Sequence, residues 1–330
     1  MEYFSTQTAL ILLIVTTLMW GSWFQFSKRL NGYPVAGFVL LLYSFSFILV
    51  WTVIFCIKSY FIEEPLAEII GENWKRCLLI ILCGMIWSIG TQVNMRVIKN
   101  VGMILSTSIT STTGILLGTG ISIYFGGLRE GQSVGKILLG AAVLFAATII
   151  GQFSVVQRDR DAGKVKDDQG YRSELKFRAK NLAALLVCSV FCTPFYNIAQ
   201  SCFVQTDLKP DGIPQLVCIG FLSVGSFLGS LLISGTVLTV NKQWRILFSN
   251  KKVVAMSAAS AVCHYGGNLL YSLSAPILSH AIAWPIGTSF SFWQYVWGIG
   301  YGEYRRTSVK TKVMLGLAMA GFILGILVLC

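Results

Sequence analysis

Long uncharged apolar stretches recur along the whole chain and limit what it can fold into. Of its 330 residues, 55% are hydrophobic. Charged residues are absent from 3–27, 30–57, 77–95, 100–128, 137–157, 181–206, 212–241, 253–302 and 313–330. A helix needs about 20 predominantly apolar residues to cross a bilayer. The stretch 253–302 is too long for one span, and Ser274-Ala275-Pro276 predicts a turn that divides it. We therefore predict an all-α polytopic membrane protein with ten transmembrane helices, numbered here as spans 1 to 10.

Basic residues are distributed unevenly between the loops that join these spans. Twenty of the 26 Lys and Arg residues fall in loops that ten spans would put on one side of the membrane, and six fall on the other. Cytoplasmic loops are enriched in Lys and Arg. The bias predicts that both termini lie on the non-cytoplasmic side, and we expect the membrane to be the plasma membrane. It also accounts for the net charge of +12, so nucleic acid is not an expected partner.

A central polar segment separates two sets of five predicted spans. Residues 157–180 carry eight basic and five acidic side chains and cannot bury an apolar face. At an offset of 173 residues, 104–106 repeat the sequence of 277–279, and Glu130 aligns with Glu303. Because five spans is an odd number, the second set must cross in the opposite sense, as in the inverted repeats of secondary carriers. The predicted units are a first five-helix repeat at 1–156, a cytoplasmic linker at 157–180 and a second five-helix repeat at 181–330.

Amide, hydroxyl and aromatic side chains recur inside several predicted spans. Polar groups are costly in hydrocarbon and normally face a protein interior or water, so these residues predict a cavity near the bilayer midplane. The candidate substrate-binding residues are Trp20, Trp23, Gln25, Trp87, Gln92, Asn94, Tyr196, Asn197, Gln200, His264, Asn268, Trp284, Thr288 and Trp293. For each of them, a hydrogen bond that only joins two helices is the alternative interpretation.

The types of these residues restrict the substrate. Amides and hydroxyls suit a neutral polar solute, and aromatic rings can stack on a sugar or a heterocycle. No carboxylate lies deep in a predicted span, which argues against exchange of lipophilic cations for protons. An anion carrier stays open because Arg96 and Lys99 lie at the end of span 3. The nine cysteines show no metal-ligand spacing, and two histidines without a buried acid do not favour an enzyme, so we expect no cofactor, metal or catalysis.

Three titratable residues are candidates for coupling or gating. His264 lies centrally in span 8, where it could carry a proton, hydrogen-bond a substrate or make a structural bond. Glu130 and Glu303 each end a fourth span of one half, on opposite faces. Pairing with Arg129, Arg305 or Arg306 could hold a closed state, although an ordinary helix-end ion pair explains the same pattern.

Three segments resemble a known superfamily. They are Trp20-Gly21-Ser22-Trp23 followed by Lys28, then 292–298, and then 302–308 with its Gly-Glu-Tyr-Arg-Arg sequence. They resemble the drug/metabolite transporter superfamily, in particular its branch of glucose-uptake, rhamnose-transporter and ureide-permease families. The resemblance implies two inverted five-helix repeats, a cavity lined by spans 1, 3, 4, 6, 8 and 9, and proton-coupled import.

The sequence thus predicts a secondary active transporter of a small neutral polar metabolite, either a sugar or a ureide-like or nucleobase-like compound. Its partners would be the substrate, the lipid bilayer and protons, and it would act as a monomer or a homodimer. Export of amino acids or other metabolites is the alternative within the same superfamily. A membrane channel or a non-transporting sensor is the alternative from another class.

Overall fold

A computed structural model describes residues 4–27, 32–101, 110–163, 179–180, 183–184, 186–188 and 190–330, with 97–101 described by their backbone alone. Within these ranges the chain is helical and contains no β-strand, apart from two isolated bridges between residues 204 and 213. Lys28, the side chain of Lys99, the repeated segment 104–106 and linker residues 164–178 lie outside the description.

Twelve helices, α1 to α12, follow one another along the described residues. The first six are Thr6–Ser27, Val35–Phe61, Leu66–Glu72, Trp74–Val101, 110–126 and Val134–Asp161. The last six are Pro194–Phe203, Gln215–Val240, Lys251–Leu278, His280–Thr288, Ser291–Gly300 and Val309–Leu329. In α5 (110–126), the turns Gly114–Gly118 and Ser122–Gly126 are π-helical. Shorter helical pieces of the described residues precede Pro194, which begins α7.

Six of these helices are long and apolar enough to cross a membrane: α1, α2, α4 up to Arg96, α6, α8 and α12. The chain is therefore an all-α membrane protein. The sequence predicted ten spans, and these six helices do not confirm that number. The other four predicted spans fall on α5, α7, α9 and the pair α10 and α11, whose described residues do not meet the same criterion. Helix α9 is 28 residues long, but its sequence contains polar residues that lower its mean hydropathy. Those that are buried include Ser257, Ser260, His264, Asn268 and Ser272.

The predicted turn at Ser274-Ala275-Pro276 was wrong. Helix α9 continues through Pro276 to Leu278, and it ends because Ser279 adopts a φ of 76°. Helix α10 then begins at once. Pro285 lies inside α10, and the chain leaves the helix only at Ser289 and Phe290.

Helices pack in two ways. Helix α8 lies against α4 with backbone close to backbone: a Cβ atom at Gly225 would be 2.0 Å from the carbonyl oxygen of Ile81. Small residues permit such approaches between membrane helices. In contrast, α1 packs against α9 and α10 through large side chains, among them Trp20 against Gly267. The second kind of packing leaves a cavity at the centre of the molecule.

Candidate functional site

A cavity of about 100 Å³ lies between α1, α4, α5, α7, α9 and α10. It has room for a few water molecules, each of which takes up about 30 Å³ in the liquid. Nine of the predicted residues line it: Trp20, Trp23, Trp87, Asn94, Tyr196, His264, Asn268, Trp284 and Thr288. Among the described residues that line it, none is Asp, Glu, Lys or Arg. The described part of the cavity wall is therefore uncharged, and half of its residues have aromatic rings.

The other five predicted residues lie elsewhere. Four make no contact with the cavity but are buried between helices: Gln25, Gln92, Asn197 and Gln200. Gln92 Oε1 accepts a 2.8 Å hydrogen bond from Ser234 Oγ on α8. Gln200 Oε1 accepts one of 3.4 Å from Ser272 Oγ on α9. The oxygens of Gln92 and Gln200 thus join helices, which is the alternative interpretation given to them above, while neither amide atom of Gln25 has a partner among the described residues.

Trp293 also lies outside the cavity. Its Nε1 donates a 2.9 Å hydrogen bond to Thr17 Oγ1 on α1, and its ring lines a separate apolar groove between α1, α11 and α12. The sequence analysis did not name Phe24, Gly90, Thr110 and Phe290, which do line the cavity. Apolar residues such as Phe24 and Phe290 carry no sequence signal that separates a cavity wall from a surface facing lipid.

His264 is held between two indole rings. Its ring centroid lies 4.5 Å from that of Trp23 and 5.2 Å from that of Trp87, which it stacks at an interplanar angle of 25°. Tyr43 meets the imidazole edge-on at 5.9 Å. Within the part of the chain that the structure describes, Nδ1 is buried without a hydrogen-bond partner. The imidazole is thus fixed by stacking, and its Nδ1 is left for another partner.

Asn268 lies one helical turn after His264 on α9. Its side-chain Oδ1 accepts a 2.8 Å hydrogen bond from Trp20 Nε1. Its Nδ2 is buried and has no partner among the described residues. Residues four apart on a helix lie on the same face. His264 and Asn268 therefore present an imidazole and an amide side by side to the cavity.

The opposite wall depends on the π-helical turns of α5. A π-helical turn is wider than an α-helical one and changes which backbone carbonyl each N–H bonds. Two backbone carbonyls in this region accept hydrogen bonds from side chains of other helices. Trp284 Nε1 donates to the carbonyl of Gly114 at 2.7 Å, and Asn197 Nδ2 donates to that of Gly118 at 2.6 Å. The indole also fills the space over Gly118, where a Cβ atom would lie 1.7 Å from Trp284 Nε1. Gly118 is thus required for the position of this cavity wall.

Charged groups meet at two places beyond the cavity, near opposite ends of α6. Just before the start of α6, Arg129 donates hydrogen bonds to the Asp207 carboxylate and to the carbonyl of Ile277. At its last turn, Arg158 pairs with Glu303 and lies over the Tyr304 ring at 5.4 Å. Each cluster joins segments that are distant in the sequence.

The two predicted gating residues differ in these clusters. Glu303 pairs with Arg158, and not with Arg305 or Arg306, among the ion pairs of the described residues. Glu130 is exposed, and its neighbour Arg129 pairs with Asp207 instead. The hydrogen bond from Arg129 lowers the pKa of Asp207 below its usual value.

No family model and no curated protein matches this chain. A solved structure described as "Crystal structure of protein" is similar to it over 98% of this chain and 98% of that chain, with a TM-score of 0.60 and 12% sequence identity. At this identity the similarity shows the fold alone. The arrangement of helices is thus shared with a solved structure over nearly the full length.

Proposed function

We propose that the chain is a secondary active transporter that moves a small neutral polar metabolite by alternating access. One observation carries this proposal: an uncharged, aromatic-walled cavity lies where helices from both halves meet, and a buried amide donor in it has no partner among the described residues. Ligand sites are mostly apolar with a few polar groups that orient the ligand. The small volume, well below the roughly 300 Å³ of typical ligand pockets, favours a closed state or a substrate of few atoms.

The packing of the helices supports ten spans in two inverted repeats. In this scheme each helix of the first half has a counterpart five spans later, so α1 corresponds to α7, α2 to α8, and α4 to α9. Exchanging counterparts turns the α1–α9 contact into the α7–α4 contact and the α2–α9 contact into the α8–α4 contact. All four pairs are in contact.

The fourth spans of the two halves support the same scheme. At an offset of 173 residues, the break between α10 and α11 at Ser289 and Phe290 aligns with Leu116 and Leu117. These two residues lie within the π-helical turn Gly114–Gly118. Irregular helices at a repeat interface are typical of the substrate sites of secondary carriers. We propose that the cavity is such a site.

Proton coupling depends on His264 in this proposal. Among the described residues that line the cavity, it alone has an imidazole, a group that can accept and release a proton. A substrate and a proton could therefore meet at one wall. The basic loops favour the plasma membrane orientation given above, with the Arg158 and Glu303 cluster on the cytoplasmic side and Arg129 with Asp207 outside.

Flux measurements test the proposal. Purified protein in liposomes would receive an imposed pH gradient and labelled D-glucose, allantoin or uracil, with protein-free liposomes as the control. We expect gradient-driven uptake of at least one compound, and we expect the His264→Gln variant to lose the dependence on the gradient. If no compound moves with the gradient, the proposal is wrong; efflux driven by the gradient would instead favour the exporter.

Accessibility measurements separate a carrier from a channel or sensor. Thr288 lines the cavity and is buried. A Thr288→Cys variant, in a background from which the nine native cysteines are removed, would be treated with an impermeant thiol reagent from either side. Alternating access predicts that a transported compound changes which side reaches Cys. Reaction from both sides at once would indicate a channel, and no change with any compound would favour a sensor.

A further inference from the structure

The hydrogen bond between Trp20 and Asn268 determines which end of the amide is left without a partner. An indole N–H can only donate, so the atom that lies 2.8 Å from Trp20 Nε1 must be the amide oxygen of Asn268. The two ends of an amide look alike in shape, but here the chemistry of the partner distinguishes them. The NH₂ group, which is the donor, is consequently the end left over.

Trp20 is itself unable to turn away. Its ring stacks on Tyr271 with centroids 5.5 Å apart, and it meets Tyr196 edge-on at 6.0 Å. A Cβ atom at Gly267 would lie 2.6 Å from Trp20 Cδ1, and one at Gly287 would lie 3.0 Å from Cζ3. The indole is therefore packed on several sides. Because the indole is fixed, the amide that it bonds cannot flip without leaving the indole N–H unpaired.

The remaining Asn268 donor has no acceptor from the described residues. Asn268 is 1% exposed, and Nδ2 has no partner there. A buried donor without an acceptor is unfavourable, and one that finds an acceptor recovers that loss. Thr288, which also lines the cavity, already uses its hydroxyl within α10, where it donates to the carbonyls of Trp284 and Pro285.

We propose that Trp20 is a positioning residue that fixes Asn268 as a hydrogen-bond donor, so that the cavity selects uncharged ligands that present an oxygen acceptor, a carbonyl or hydroxyl, to Nδ2. This inference rests on the proposed transport function and adds a rule for its substrate. Molecules of the same shape without an acceptor leave the amide unpaired. Sites that hydrogen-bond a ligand discriminate strongly against analogues that lack the bonding atom.

A pair of isosteric probes tests this rule without requiring transport. Acetone and isobutene have nearly the same shape, but only acetone has an acceptor oxygen, and both are small enough for this cavity. Full-length protein in detergent, with its nine tryptophans labelled with ¹⁵N, would be titrated with each probe while the indole N–H signals are followed by NMR. We expect acetone to shift the Trp20 signal and, after each affinity is corrected for that probe's partition between water and detergent, to bind about tenfold more tightly than isobutene.

Two variants and a matched control locate the effect. Trp20→Phe keeps the ring but removes the donor, so the amide is free to turn, and we expect the preference for acetone to fall to within about twofold. Asn268→Leu should abolish it as well. Trp297→Phe removes an indole donor that bonds Ser22 Oγ at 2.9 Å, outside the cavity, and should keep the preference.

Several results would overturn the proposal. One is equal binding of the two probes by the unmodified protein, or no shift of any cavity indole with acetone. Another is a preference that survives in Trp20→Phe or Asn268→Leu. General damage to the fold would weaken both probes together and leave their ratio unchanged, so the ratio reports on positioning. A transport assay that fails while the ratio behaves as expected would refute the transport function and leave the selection rule standing.

Discussion

Two helix interfaces, α4 with α8 and α1 with α9, are packed in different ways. Between α4 and α8, the helices approach until the Gly225 Cα atom meets the backbone of Ile81. Between α1 and α9, large side chains meet small residues or other rings: Trp20 fills the space over Gly267, and the Trp23 and His264 ring centroids are 4.5 Å apart. Trp20, Trp23 and His264 also line the cavity, whereas Gly225 and Ile81 do not. We therefore expect the first interface to contribute mainly to stability and the second mainly to binding.

The largest effect should come from filling the tight interface. In Gly225→Ala the new methyl group would lie 2.0 Å from a backbone oxygen of Ile81, which cannot move without its helix. We expect a loss of about 1–3 kcal/mol in the free energy of unfolding, as for other overpacked interiors. Urea or thermal unfolding in detergent would measure it.

A matched glycine provides the control for that variant. Gly316 lies in α12, is exposed, and has open space around an added Cβ atom. Gly316→Ala should leave stability unchanged or raise it by up to about 1 kcal/mol, because alanine favours a helix more than glycine does. Equal stability of the two variants would contradict the difference drawn between the interfaces.

A smaller effect on stability, but a large one on binding, is expected at the cavity. In Gly118→Ala the methyl group would collide with the Trp284 indole, which must leave the Gly114 carbonyl. We expect transport or probe binding to fall about tenfold, which corresponds to about 1.4 kcal/mol. Gly120→Ala, with nothing near its added methyl group, is the control. A Gly118→Ala protein with full binding would show that the wall tolerates displacement.

The smallest effect is expected at the ion pair between Arg129 and Asp207. Arg129 lowers the pKa of Asp207, so the ion pair stabilises the fold above the ordinary Asp pKa of about 3.9 and loses this contribution as the pH falls through the lowered value. Asp207 is 53% exposed, so Asp207→Asn should cost about 0.5 kcal/mol at pH 7. The difference from the unmodified protein should disappear in thermal unfolding as the pH falls below the lowered pKa of Asp207.

The neighbouring Glu130 offers a comparison for the pH measurement. It is exposed and has no ion pair among those of the described residues. Glu130→Gln should therefore unfold like the unmodified protein at every pH. A pH dependence that is equal in the Glu130→Gln and Asp207→Asn variants would mean that the ion pair with Arg129 does not stabilise this end.

The sequence predicted the helical membrane class because uncharged apolar stretches of sufficient length have few other ways to fold. It misplaced the junction of α9 and α10, because Pro276 suggested a turn while the residue that makes it, Ser279, is one whose type rarely signals a positive φ. Local sequence could not reveal that conformation. It depends on how the two helices pack.

Some of the predicted substrate-binding residues line the cavity and others do not, and local sequence could not separate the two groups either. Polarity inside a span indicates that a side chain avoids lipid, and Asn268 and Gln92 both do. Polarity does not indicate whether the partner is a ligand or a neighbouring helix. Asn268 and Gln92 each accept one hydrogen bond, from Trp20 and Ser234, and each has an NH₂ group without a partner among the described residues, but only Asn268 lines the cavity. Only the packing of helices distant in sequence separates these cases.

The single residue that joins α9 to α10 has a consequence for motion. Ser279 is the only residue between Leu278 and His280, so no flexible loop connects the two helices. A tilt of α9 that shifts His264 and Asn268 must therefore displace the start of α10 at the same time, and with it Trp284 on the facing wall. The two walls of the chamber can widen or narrow only in step.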